Sequence, residues 1–145
     1  MGVGYDRPQI PFTAASASGG AGTPVILVFG RSSSSGAIPN DASAFLFDLC
    51  ELWLTATGSG GAGSPTLDCK LQASFDGVNW VDANVSTAQI ASASATTKVA
   101  TGTRGLGVTP VVLGAHLRVV LTAGSASGTE TFTGTVGLME RSLGT

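Results

Sequence analysis

Charged side chains are scarce in this sequence of 145 residues. Only 11% of the residues are Asp, Glu, Lys or Arg, against roughly 25% in an average soluble domain. Apolar residues reach 43% and the net charge is −2, whereas disordered chains combine low hydrophobicity with high net charge. The length is enough for one domain with a real core. Gly, Ser, Thr and Ala replace the missing charge, so like-charge repulsion is weak and we expect the surface to pack against copies of itself or a partner lattice.

Long apolar runs and basic clusters are also lacking. A transmembrane helix needs about 20 mainly apolar residues in a row, whereas the best stretch, residues 44–56, is shorter and holds Asp48 and Glu51. The seven basic residues are scattered and form no patch for a phosphate backbone. After Met1 no basic start is followed by an apolar run, so we expect no signal peptide. Neither a membrane nor a nucleic acid is an expected partner.

The residue types that carry catalysis are few. His116 is the single histidine and sits in a strand pattern beside Arg118, and no Gly-x-Ser-x-Gly elbow accompanies it. A zinc site needs about four clustered Cys or His ligands, more than Cys50, Cys69 and His116 supply. We therefore expect no enzyme, no metal and no cofactor. One alternative stays open: Asp76 and Asp82 flank a hairpin and could hold calcium, although turn and edge roles are the simpler interpretation.

The two cysteines fall on the inferred core faces of consecutive strands, which makes them candidate cross-strand neighbours. Without a signal peptide the expected compartment is reducing, where disulfides are rare. We expect Cys50 and Cys69 to be buried free thiols.

Residues 1–24 combine three prolines with a run of Ala, Ser and Gly from Ala14 to Gly22. Such small residues bury too little surface to offset the entropy of ordering. We predict an extended flexible arm over residues 1–24, either a tail or a segment that orders on a neighbouring subunit. The candidate partner-binding residues in this arm are Tyr5, Arg7, Ile10 and Phe12.

Residues 25–145 show strand patterns separated by turn signals. The clearest alternation runs from Thr66 to Phe75, with one face apolar and the other polar, as in a strand with one wet face. Asp76-Gly77 predicts a turn into a return strand. Further strands are predicted at 25–29, 44–57, 87–90, 96–100, 116–123 and 129–138, with a loop at 31–43 and a hairpin-like loop at 58–63. This spacing predicts an all-β fold, an antiparallel β-sandwich or jelly roll with an extended N-terminal arm.

One motif carries a resemblance. Ser74-x-Asp76-Gly77-x-Asn79-Trp80 ends a strand, turns the chain and returns a tryptophan to the sandwich. It resembles two groups: discoidin-like carbohydrate-binding modules, and small β-sandwich virion proteins of tailed bacteriophages of the capsid-decoration (cement) or head-fibre type. The stretches 114–122 and 131–138 are similar to the closing strand pair of the phage group. The loops here are Gly, Ser and Ala, which are poor material for stacking on sugars.

The phage resemblance implies a structural virion protein that decorates and stabilises a capsid from its outer surface. It further implies a major capsid protein as partner, a homotrimer as the symmetric form, and a place on the virion after assembly in the host cytoplasm. A carbohydrate- or host-surface-binding module and a tail or fibre spacer domain are the alternatives. On the sequence alone, Trp53 and Trp80 are expected in the core rather than on a ligand platform.

Overall fold

The computed structural model describes residues 4–6, 9–29, 49–59, 63–74, 76–103 and 116–141. These ranges fold into strands joined by turns and contain no helix long and apolar enough to cross a membrane. The strands are β1 (Gly4–Asp6), β2 (Ile10–Ala15), β3 (Val25–Phe29), β4 (Leu49–Gly58), β5 (Thr66–Ser74), β6 (Val81–Ser86), β7 (Thr96–Thr103), β8 (His116–Gly124) and β9 (Thr131–Arg141). The predicted loop at 31–43 and residues 44–48 lie outside the described residues.

Two antiparallel sheets make up the fold, which confirms the all-β β-sandwich prediction. In the first sheet β9 lies between β4 and the pair β1 and β2, and β4 also pairs with β7. In the second sheet the order is β3-β8-β5-β6. The chain changes sheet at each step from β2 to β5, and again at each step from β6 to β9. Among the described strands, β5 and β6 are the one consecutive pair that forms a hairpin.

The core lies between the sheets and is filled by alternate residues of the facing strands. Leu67, Cys69, Leu71 and Ala73 of β5 are buried, as their alternation predicts, and so are Leu117, Val119 and Leu121 of β8. Leu52, Leu54 and Ala56 of β4 meet them from the first sheet, beside Phe132, Val136 and Leu138 of β9. A strand buries every second side chain when one face is wet, which explains why the pattern fixed the inward faces.

The prediction of an extended flexible arm is wrong for residues 9–24, which the structure describes. Ile10–Ala15 is a full strand of the first sheet, in register with Thr131–Val136, and Phe12 and Ala14 are buried in the core. Beyond the strand, the backbone N–H of Gly22 donates to the carbonyl of Ala123 at 2.9 Å. Residues 9–24 are therefore part of the same sandwich as the described strands between Val25 and Arg141. Pro11 does not prevent this, because a strand at a sheet edge tolerates a proline.

Three further expectations differ from the structure. Residues 58–63 were predicted as a hairpin-like loop, but β4 and β5 belong to different sheets, so this connection crosses between them. Cys50 and Cys69 are therefore not cross-strand neighbours. The weak strand predicted near 87–90 is a single bridge from Ile90 to Leu67, beyond the end of β6 at Ser86.

Candidate functional surfaces

The outer face of the first sheet is almost uncharged. Its register places Thr135, Thr55 and Thr97 side by side across β9, β4 and β7, and the hydroxyls of Thr55 and Thr97 lie 3.2 Å apart. The neighbouring row pairs Trp53 with Val99. We call this surface the threonine face: Trp53, Val99 and Thr13, Thr55, Thr57, Thr97, Thr101, Thr133 and Thr135.

Large apolar side chains stand out from the threonine face. Trp53 is 41% exposed and Val99 is 45% exposed, although the sequence predicted a core position for Trp53. The alternation of β4 explains the error, since Leu52 and Leu54 take the inward positions and Trp53 must point outward. The described charge on this face is Glu51, whose carboxylate accepts a 3.3 Å hydrogen bond from Trp53 Nε1. This face is therefore suited to contact with another protein surface.

The outer face of the second sheet carries a charged network. Arg118 Nε donates to Gln72 Oε1 at 2.8 Å, and Gln72 Nε2 donates to Asp82 Oδ1 at 2.9 Å. Lys70 Nζ lies 3.1 Å from the same oxygen. We call this surface, with Asp68 added, the charged face: Asp68, Lys70, Gln72, Asp82 and Arg118. Hydrogen bonds from Gln72 and Lys70 lower the pKa of Asp82, so the network keeps that carboxylate ionised.

Trp80 borders the charged face and is half-buried rather than in the core. The Arg118 guanidinium lies over its ring, 4.3 Å from the centroid, at the distance of a cation–π contact. Beyond Lys70 the face dips into a shallow groove of about 410 Å³, lined by Asp68, Lys70, Ser86, Thr87, Val120 and Thr122 among others. The two sheets thus present outer surfaces of opposite character, one apolar and hydroxyl-rich, the other ionic.

The Asp76 turn explains the motif that carried the resemblance. Asp76 Oδ1 accepts hydrogen bonds from Ser74 Oγ and from the backbone N–H groups of Val78 and Asn79, at 2.7 to 2.9 Å. Ser74 Oγ accepts the N–H of Gly77 at 2.8 Å. Gly77 has a φ of 77°, in the region that glycine enters most easily. Each residue type in Ser-x-Asp-Gly-x-Asn is therefore used to close this turn.

Calcium has no support at Asp76 and Asp82. The Asp76 carboxylate accepts N–H and O–H groups of its own turn, and these hydrogen bonds, led by the backbone N–H of Asn79, hold the pKa of Asp76 well below its usual range. Asp82 is committed to Gln72 and Lys70. Within the described ranges, no three Asp, Glu, His or Cys side chains come together as a metal site.

The remaining candidate residues are dispersed. The imidazole of His116 lies beneath the Asp76 turn, where a Cβ on Gly77 would stand 3.5 Å from the ring. Phe12 is buried in its own core and Ile10 packs against that core, so neither is presented to a partner. Tyr5 lies in β1, paired with Glu140, but its side chain is outside the described part, as is Arg7. Partner binding by Tyr5 and Arg7 stays a prediction.

Cys69 is a buried free thiol, as expected. Burial raises the pKa of Cys69 to about 12, because a thiolate is poorly solvated in an apolar core. Cys50 lies at a β4 position opposite Glu140 and Gly102, and its side chain lies outside the described part.

Glu130 is a functional candidate that no pattern in the sequence indicates. Its side chain is fully buried, and its Oε2 accepts a 2.8 Å hydrogen bond from Ser59 Oγ. Its backbone N–H donates to Ser16 Oγ at 2.9 Å. Glu130 thus ties the end of β2 and the end of β4 to the start of β9. A single acidic residue between two threonines gives no periodic signal, so only the folded chain shows this role.

No protein-family model and no curated protein sequence matches the chain. Among solved structures, the CBM22-1 and GH10 modules of Clostridium thermocellum endo-1,4-β-D-xylanase 10B, complexed with xylohexaose, match 64% of this chain at 10% identity and a TM-score of 0.37. This chain spans only 16% of that protein. The C-terminal domain of the sugar-binding protein EclA matches 91% of this chain and 77% of its own length, at 10% identity and a TM-score of 0.44. A chain of Desmodium yellow mottle tymovirus matches 100% of this chain and 90% of its own length, at 11% identity and a TM-score of 0.28. Likenesses at this level assign no function.

Proposed function

We propose that this chain is a structural protein of a tailed-bacteriophage virion, placed on the outer surface of the capsid, where it stabilises the shell. The observation that carries the proposal is the threonine face, a hydroxyl-rich sheet surface with Glu51 as its described charge and with Trp53 and Val99 exposed. Exposed aromatic and apolar groups without charge favour burial in a protein contact. The partner is the major capsid protein, and the copies form a symmetric trimer.

The strand order supports this proposal through its architecture. From the sheet orders β2-β9-β4-β7 and β3-β8-β5-β6 we infer an eight-stranded jelly roll, with β1 extending β2 along the edge of β9. Jelly rolls are used in viral capsid domains and also in lectins and cupins, so the architecture alone does not select among them. The threonine face favours the capsid role, because its exposed apolar side chains gain free energy when they are buried against a neighbouring protein.

Stabilisation follows from mass action. A protein that binds the assembled shell and not its separated subunits favours the shell by its binding free energy. A contact centred on Trp53 places a large ring in a desolvated position, the kind of residue that carries most of the binding energy in interfaces. The proposed role is binding and does not require enzymatic activity.

The proposal is tested on virions purified from cultures that produce this chain. Quantitative mass spectrometry should find the chain at a fixed ratio to the major capsid protein, and immunogold labelling should mark the head. Absence from purified particles would refute the proposal. Labelling confined to the tail would instead favour the spacer-domain alternative.

A second candidate function is sugar binding at the charged face. Arg118, Gln72 and Asp82 present donors and acceptors on rigid strands beside the ring of Trp80, which is the combination of an aromatic platform and polar groups that orients a sugar ring. A glycan array with wild-type protein and a Trp80→Ala variant tests it. Binding that is lost in the variant supports this function, and silence of the wild-type protein excludes it for the glycans displayed.

A further inference from the structure

The described strands leave four sheet edges, and three of these edges carry a feature that discourages pairing with another chain. Pro11 lies in β2 and removes a backbone donor. Lys98 of β7 pairs with the buried Leu54, so a charged side chain lies on the inward side of the sheet at that edge. The β6 edge has a bulge and a positive φ of 61° at Asn84. Prolines, inward charges and bulges are the known means of protecting sheet edges.

The fourth edge, β3, has none of these features. Its sequence is Val-Ile-Leu-Val-Phe, without proline, glycine or charge, and its pairing with β8 runs in unbroken register from Val25 to Phe29. Ile26 is 49% exposed and Val28 is 51% exposed on the outer side. A straight apolar edge strand of this kind is a template for another strand.

We propose that β3 pairs antiparallel with β3 of a second copy of this chain, joining two second sheets into one continuous sheet across a two-fold axis. This contact is separate from the threonine face, and it does not depend on the proposed virion function. If each chain also belongs to a trimer, the β3 contact joins two trimers, and the complete assembly then holds six chains.

The sequence of β3 is self-complementary in the register that such symmetry requires. With Leu27 of each copy at the axis, Ile26 of one copy lies opposite Val28 of the other, and the reverse pair repeats the contact. Cross-strand pairs of β-branched residues stabilise antiparallel strands. No charged residue lies within β3, so the two copies meet without like-charge repulsion. An isologous contact needs a surface that fits itself, and β3 meets that condition.

A second copy accounts for this edge better than an unrelated ligand would. Strand pairing saturates the backbone N–H and C=O groups of the edge, which a small molecule cannot do along five residues. The outer side chains Ile26 and Val28 extend an apolar strip that already includes Val120, the register partner of Ile26. Pairing buries this strip on the joined sheet between two identical strands.

The test compares native masses of the full chain by light scattering, from micromolar to nanomolar concentration. We expect wild type to have an even number of 14.3 kDa chains and Ile26→Lys to have half that mass at the same concentration. The control is Val81→Lys, which replaces another exposed β-branched residue (56% exposed) at the bulged β6 edge, and it should keep the wild-type mass.

Hydrogen exchange provides a second readout that does not depend on the variant. Amide protons on the free side of β3 should exchange slowly at micromolar concentration. After dilution to the form with half the native mass, their exchange rate should rise at least tenfold. A wild-type protein with one or three chains, an unchanged mass in Ile26→Lys, or an equal loss in Val81→Lys would overturn the proposal. Rapid exchange of the β3 amides at all concentrations would overturn it as well.

Discussion

Asn79 donates two hydrogen bonds to Asp76: its backbone N–H reaches Oδ1 and its side-chain amide reaches Oδ2, each at 2.7 Å. With the bonds from Val78 and Ser74, this carboxylate organises the whole turn between β5 and β6. Trp80 directly follows this turn, and its ring packs under the guanidinium of Arg118. The motif thus acts first as a local folding element, and its surface role follows from that rigidity.

Acid should weaken the Asp76 turn. The folded-state pKa of Asp76 is lowered by its hydrogen bonds, whereas the pKa of an unfolded Asp is about 3.9. The stabilisation is therefore present at neutral pH and is lost as pH falls below the unfolded value toward the folded one. We expect Asp76→Asn to lower Tm at pH 7, and the Tm gap from wild type to narrow from pH 4 to pH 2. A gap that stays constant with pH would contradict this assignment.

Phe12 should behave as a core residue and not as part of an arm. Its ring is 6% exposed, and truncating a buried Phe to Ala costs about 3–5 kcal/mol of unfolding free energy. We expect Phe12→Ala to lose an amount in that range in urea denaturation. The control Thr13→Ala, exposed on the same strand, should change stability by less than about 1 kcal/mol. Equal and small effects for both variants would restore the arm interpretation.

Gly134 is a point of close backbone approach between β9 and β4. A Cβ there would collide with the carbonyl oxygen of Thr55, so Gly134→Ala must push the two strands apart. Overpacking of this kind costs about 1–3 kcal/mol or more. Gly20→Ala is the matched control, since a Cβ at Gly20 meets nothing within 4 Å. Thermal unfolding of the two variants should show a large loss only for Gly134→Ala, and similar melting curves would argue against this packing.

Cys69 should be unreactive in the native protein. Its thiol is buried and its pKa is raised to about 12, so almost no thiolate is present at pH 8. In a Cys50→Ser background, a thiol reagent should label no site until the protein is unfolded in denaturant, and then one. Fast labelling under native conditions would show that β5 opens readily or that its inward face is assigned wrongly.

The sequence predicts which residues of a strand point inward, but it does not predict which strands pair with each other. The alternation in β5, β8 and β9 gave the inward faces correctly, because a side-chain period of two follows directly from strand geometry. Strand partners could not be obtained in this way, since β4 pairs with β7 and β9, which are distant in sequence. β2 was not predicted because its Pro and Ala residues are weak strand formers. The strand forms because its backbone pairs with the edge of β9.

The two surfaces illustrate the same limit. Alternation put Glu51, Trp53 and Thr55 on one face of β4, but only the sheet order shows that Thr97 and Thr135 extend that face across three strands. The charged network joins residues of three strands in the second sheet. Neither surface has a signature within one stretch of sequence.

The most direct test of the account is co-sedimentation with purified capsids from particles that carry this chain, after the chain has been stripped from them. Wild type should rebind, and Trp53→Arg, which places a charge at the centre of the threonine face, should reduce rebinding at least tenfold. Val81→Arg, the matched change of an exposed apolar residue on the second sheet, should rebind as wild type does. Undiminished rebinding by Trp53→Arg, or no rebinding by wild type, would contradict the account.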